Sequence, residues 1–114
     1  MTEPVYKIVG AEDWAEAQAR GRYDGSIADR RDGYIHLSTA AQLAETARRH
    51  FAGRDGLVLV ALDAGALGAA LKWEPARGGD LFPHLYGPLP TKAALWAKAI
   101  RRDGEAHVLP DLAP

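Results

Sequence analysis

The chain has 114 residues, with 14 Lys or Arg against 15 Asp or Glu and a formal net charge of -1. That length fits one domain over residues 1–114, and the dispersed basic residues argue against nucleic acid as the main partner. With no cysteine, disulfides, thiolate zinc sites and thiol nucleophiles are excluded.

Val5 to Val9 reads as a first strand, β-branched and aromatic in alternation. Glu12 and Asp13 open a helix at the end where carboxylates oppose the positive dipole. Trp14, Ala17 and Gln18 give it an apolar face, and Gly21 ends it. Gly21 to Asp32 reads as a long polar connection, with Asp24-Gly25-Ser26 and Asp32-Gly33 as turn signals. Tyr34 to Leu37 is a short strand. Thr39 with Gln42 matches a capping box and predicts a helix from Ala40. Leu43, Ala44, Ala47 and Phe51 form that helix's stripe, and Gly53 stops it.

Leu57 to Leu62 is apolar throughout and reads as the most buried strand. This longest apolar run is far below the ~20 residues of a spanning helix. Met1 to Pro4 lacks the basic and apolar regions of a signal peptide, so the expected location is cytoplasmic. Asp63 caps one turn through Leu67. Ala70 to Glu74 is a strand with Leu71 and Trp73 on one face and Lys72 and Glu74 on the other. His84 to Tyr86 is extended. One helical turn at Thr91 to Ala94 precedes a strand over Leu95 to Ile100, and Asp103-Gly104 turns it into a hairpin with Ala106 to Leu109. The class is α+β, with two early helices and a mainly antiparallel sheet.

Two stretches carry chemistry beyond what a core needs. Lys72 to Gly87 packs a carboxylate, a guanidinium, an imidazole and a phenol between Gly and Pro residues. Gly33 to Thr39 sets His36 and Ser38 on one face of a strand. As functional groups, His36 and Ser38 hold a sugar or nucleotide edge; as structural ones, His36 is a satisfied core histidine and Ser38 a helix cap. Glu74 either binds a ribose or stabilises a developing cation, or it pairs with Arg77 or Lys72. Arg77 with Gly78 and Gly79 offers a guanidinium beside backbone N–H groups, suited to phosphate, or is a plain surface loop. His84 is an acid, base or ligand candidate, and Tyr86 stacks on a planar ring or packs across strands. Ser26, in the polar connection, is a further ligand-binding candidate. His36, His84 and Glu74 also permit a two-His-one-carboxylate metal site, although their spacing carries no metal signature. His50 and His107 are assigned no function.

These stretches resemble the small bacterial family known as domain of unknown function 952. The resemblance rests on Gly25-Ser26, on Asp32 to Thr39 with Gln42, and on Lys72 to Glu74, Arg77 to Gly79 and Phe82 to Gly87. It implies an ADP-ribosyltransferase-like fold, with split antiparallel sheets around a cleft. By that resemblance His36 matches the early-strand residue that binds the ribose of NAD, and Tyr86 an aromatic wall. Glu74 stands as the acidic candidate, but it precedes His84 and Tyr86, and the late segment offers only Glu105. The expected function is a nucleotide-type cleft for NAD or ADP-ribose, with glycosyl or ADP-ribosyl transfer as its enzymatic form. The alternatives are a non-catalytic ligand sensor on the same fold and a metal-dependent enzyme. Fold alone does not assign an activity.

Overall fold

A computed structural model describes residues 3–114, apart from the Arg77 side chain. Met1 and Thr2, part of the stretch read as lacking signal-peptide features, lie outside the described residues. The central feature is the apolar run itself. It forms β4 (Leu57–Leu62), in which Leu59, Val60, Ala61 and Leu62 are fully buried. Each of the buried Leu and Val side chains contributes about 1.5–3 kcal/mol of hydrophobic stabilisation. β1 (Val5–Gly10) pairs with one edge of β4, from Val5↔Leu62 to Gly10↔Leu57. β8 (Ala94–Asp103) pairs with the other edge and then turns into β9 (Ala106–Val108). The resulting sheet has the order β1-β4-β8-β9 and is antiparallel throughout.

Two smaller antiparallel sheets complete the architecture. β2 (Arg22–Tyr23) pairs with β7 (Leu89–Pro90). β3 (Ile35–His36), β6 (Leu81–Leu85) and β5 (Leu71–Pro75) form the third sheet in the order β3-β6-β5. One bridge links the third sheet to the first. The Tyr6 N–H donates to the Ser38 carbonyl at 2.8 Å, and the Ser38 N–H donates back to Tyr6 at 2.9 Å.

Among the described residues, four α-helices cover these sheets. α1 (Ala11–Arg20) ends at Gly21, whose φ of 85° reverses the chain while its N–H reaches the Ala17 carbonyl. α2 (Ile27–Asp32) occupies what the sequence presents as a polar connection. α3 (Leu43–His50) follows a 3₁₀ turn at Ala40–Gln42, where Gln42 Oε1 accepts from the Thr39 N–H at 3.0 Å. This is the expected capping contact. Asp63 caps α4 (Ala64–Leu67) through the Gly65 N–H at 3.0 Å, again as expected.

The large sheet separates two apolar clusters. Trp14, Tyr23, Ile35, Leu37, Leu62, Leu85 and Leu89 fill the side toward α1 and the small sheets. Tyr6, Ile8, Leu43, Ala47, Leu59 and Ile100 fill the side toward α3. Gln18 and Ala44, expected on the apolar faces of α1 and α3, are exposed. The buried stripes are narrower, Trp14 with Ala17 and Leu43 with Ala47. α3 also ends before Gly53, with the Phe51 N–H closing onto the Ala47 carbonyl.

Candidate functional site

Strand alternation makes the third sheet two-faced. One face carries Ile35, Leu37 and Leu85, which join the core. The other carries His36 on β3, His84 on β6, and Lys72 and Glu74 on β5, with His36↔His84 and Lys72↔His84 as direct cross-strand partners. The two polar stretches of the sequence therefore meet on one surface. The His36 and His84 rings lie 5.8 Å apart, edge to face. Tyr34 stacks on His84 at 4.1 Å with an interplanar angle of 29° and lies 4.7 Å from His36 and 5.3 Å from Tyr86.

His36 is held from below by a buried ion pair. Ser26 and Asp29 form a reciprocal capping box at the start of α2. Ser26 Oγ accepts from the Asp29 N–H at 3.1 Å, and Asp29 Oδ2 accepts from the Ser26 N–H at 2.9 Å. Asp29 Oδ1 also accepts from the His36 N–H at 3.0 Å and lies 2.6 Å from His36 Nδ1. Lys7 Nζ reaches Asp29 at 3.0 Å and donates to the His36 carbonyl at 2.9 Å. Both charged side chains are nearly inaccessible, at 8% for Lys7 and 2% for Asp29. Burial lowers the Lys7 ammonium from its ordinary value, against the pull of Asp29. Burial pushes the Asp29 carboxyl up, but hydrogen bonding from His36, the Lys7 charge and the Ser26 and His36 N–H groups hold it well below the usual carboxylate range.

That depression has a measurable consequence. The Asp29 contribution to stability is complete above its unfolded value of ~4 and is lost as pH falls from there through the lower folded value. Unfolding by urea across an acid pH series should show stability falling below pH ~4 more steeply in the native chain than in Asp29→Asn. Parallel slopes would mean that Asp29 does not carry this dependence.

A second acidic contact lies behind His84. Glu74 Oε1 accepts from the Tyr86 hydroxyl at 2.7 Å and lies 2.8 Å from His84 Nδ1. The hydrogen bond from His84, followed by that from Tyr86, lowers the Glu74 carboxyl, while Glu74 raises the Tyr86 phenol. His84 is buried, whereas Tyr86 is exposed.

A cleft of about 1010 Å³ opens beside these groups, between α2 and α3. Ser26, Ser38, His36 and His84 are among the residues that line it, together with Tyr34, Asp29 and Asp32. Ser26 is occupied as a helix cap, and Ser38 Oγ lies 3.0 Å from Thr46 Oγ1 on α3. Glu74 and Tyr86 stand outside the lining, connected to it through His84. Gly78 and Gly79 also lie outside it, and the Gly79 N–H is taken by the Ala76 carbonyl at 2.8 Å. The Arg77 side chain lies outside the described residues.

Arg30 and Arg31 of α2, Arg49 and His50 of α3, and Arg54 also line the cleft. Among the described residues, no group of three His, Cys, Asp or Glu side chains is arranged to hold a metal ion. No helix among them is long and apolar enough to cross a membrane.

Lys7, Asp29, Asp32 and Tyr34 are site residues to which the sequence assigned no role, although Asp32 and Tyr34 lie within the Asp32 to Thr39 motif. A signal existed for two of them. Ser26-x-x-Asp29 is a capping-box pattern, and Lys7 shares a face with Val5 and Val9 in a strand buried on both faces.

Fold and site together define a mixed α+β protein of curled antiparallel sheets around a histidine- and tyrosine-lined cleft. The chain belongs to the family described as protein of unknown function DUF952, which matches residues 8–97. It is similar to protein CC0527 from Caulobacter crescentus. The crystal structure of that protein is 44% identical, with 90% of each chain covered and a TM-score of 0.87. A double mutant of CC0527 gives 43% identity, 90% coverage of each chain and a TM-score of 0.87. Its solution NMR structure gives 43% identity, coverage of 91% of this chain and 90% of that one, and a TM-score of 0.80. No curated protein matches the chain.

Proposed function

We propose that the cleft binds a nucleotide-type ligand of the NAD or ADP-ribose class, on a scaffold of ADP-ribosyltransferase type. The observation that carries this reading is the pairing of His36 with His84 across β3 and β6, with Tyr34 stacked on His84. A planar aromatic wall beside imidazole donors suits a base or nicotinamide ring joined to a ribose. His36 holds the early-strand position that the family resemblance links to ribose. The guanidinium groups of α2 and α3 on the same cleft suit the phosphates.

Glu74 favours binding without turnover as a second reading. Its Oε1 is engaged by both His84 and Tyr86, and the residue stands outside the cleft lining. In the enzymatic form, glycosyl transfer would need that carboxylate to face the reacting ribose.

Thermal unfolding with ADP-ribose, NAD, nicotinamide and AMP tests the proposal. A ligand that binds only the folded state at about 100 times its Kd stabilises it by ~2.7 kcal/mol. ADP-ribose or NAD should raise the melting temperature, and His36→Ala should remove the rise. Absence of a shift with every nucleotide would overturn the proposal. Release of nicotinamide from NAD would separate transfer from binding alone.

A further inference from the structure

His36 lies between two carboxylates of very different standing. On the Nδ1 side, Asp29 is buried and fixed by Lys7 and by the Ser26 and His36 N–H groups. On the Nε2 side, Asp32 Oδ2 lies 2.9 Å from the ring. Asp32 is the last residue of α2, just before Gly33 reverses the chain at a φ of 87°, and its side chain is 32% exposed. Its oxygens also accept from Arg31, Oδ1 from Nε at 2.9 Å and Oδ2 from Nη2 at 3.4 Å. The arrangement is that of a bound oxyanion, with a guanidinium edge on one side and an imidazole nitrogen on the other. Both donor groups belong to the cleft lining.

Asp29 is tied into the fold, because removing it would strand a buried ammonium. Asp32 carries no such burden, since ion pairs as exposed as Arg31–Asp32 contribute little to stability. Turning Asp32 into water while another anion took its place would leave every donor on His36 and Arg31 satisfied.

We propose that His36 Nε2 and the Arg31 guanidinium form an oxyanion-binding site, that Asp32 occupies it in the unliganded protein, and that a phosphate or carboxylate group of the ligand displaces Asp32. With Nδ1 held by Asp29, this assigns Nε2 to an anionic group in place of the ribose contact that the family resemblance implies for His36. The site does not depend on the nucleotide reading, because a simple anion is enough to occupy it.

Calorimetric titration of the full chain with inorganic phosphate and, separately, acetate tests this. Asp32→Asn keeps the shape and removes the competing charge, and Asp32→Ala removes the side chain. Both leave the Lys7–Asp29–His36 contacts in place, and if the Ala variant fails to fold, the Asn variant carries the readout. The expected result is tighter binding of at least one anion by about tenfold, the scale of one charge-assisted contact. His36→Gln in the same background should cancel the gain. A gain for phosphate alone supports the site as a phosphate site, and a gain for acetate supports it as a carboxylate site. Unchanged affinity for both anions, or a gain that survives His36→Gln, would overturn it.

ADP-ribose titrated alongside separates the two proposals. A phosphate gain without ADP-ribose binding keeps the oxyanion site and removes the nucleotide reading. ADP-ribose binding with no anion gain in the Asp32 variants keeps the nucleotide reading and removes the oxyanion site.

Discussion

Asp29→Ala is expected to destabilise the fold by about 3–5 kcal/mol, the range for breaking one side of a buried ion pair. The size follows from what is stranded. Lys7 Nζ loses its carboxylate while remaining at 8% exposure, and His36 loses the acceptor for both its N–H and its Nδ1. The Ser26 N–H also loses its side-chain partner at the start of α2. Because native stability is itself only about 5–15 kcal/mol, a large share of the variant would unfold on mild heating. A fall in melting temperature of about 10 °C or more is expected. A loss below about 1 kcal/mol would mean that Lys7 and His36 find other partners and that the network does not support the site.

The second large effect separates the two sides of the main sheet. Leu59 and Leu62 are both fully buried on β4, yet they belong to different clusters. Truncating either to Ala should cost about 2–5 kcal/mol through lost transfer energy and the cavity left behind. Their effects on binding should differ. Leu62 packs in the cluster that includes Ile35, Leu37 and Leu85, the apolar undersides of β3 and β6. A void there loosens the strands that hold His36 and His84 in register. Leu59 shares its cluster with Leu43, Ala47 and Ile100, on the opposite side. Denaturant unfolding should therefore report similar losses for both variants. Calorimetry with ADP-ribose should show a greater weakening of binding for Leu62→Ala than for Leu59→Ala, whose void lies away from β3 and β6. Equal weakening in both would place the coupling in general loosening of the fold instead of the Leu62 side.

Much of the fold was legible because its signals are local. The run from Leu57 to Leu62 is short, follows Gly56 and carries two valines, which favours a strand covered on both faces, and it lies inside the main sheet. Thr39 with Gln42, Asp63, and the turn at Asp103-Gly104 each carry their own hydrogen-bond logic, and each lies where that logic places it. α2 was not legible. Its six residues, Ile27 to Asp32, are mostly charged and show no apolar stripe, and glycines flank them at Gly25 and Gly33. Only the spacing from Ser26 to Asp29 betrays a helix start. The errors at Gln18 and Ala44 share a cause. In short helices the buried stripe narrows to one residue per turn, and composition does not say which neighbour is left outside.

The candidate site was legible by residue type more than by role. His36, His84, Glu74 and Tyr86 cluster because strand alternation and the β3–β6–β5 register bring them to one face. Which group touches which depends on long-range pairing that no local pattern encodes. Glu74 meets His84 and Tyr86, while His36 meets Asp29 and Asp32 from a helix that was itself hidden. Tyr34 lies inside the Asp32 to Thr39 motif, but nothing local gives it a role. Its place against His84 emerges only once β3 and β6 are paired.

NMR of the histidine rings during titration with ADP-ribose reads the occupancy of the paired histidines. His107 serves as a comparison, because it lies on β9 outside the cleft lining and touches it through the Arg54 carbonyl. The signals of His36 and His84 should move together, saturate at one ligand concentration and shift more than those of His107. If neither His36 nor His84 responds while the protein remains folded, the cleft does not bind this class of ligand at the paired histidines.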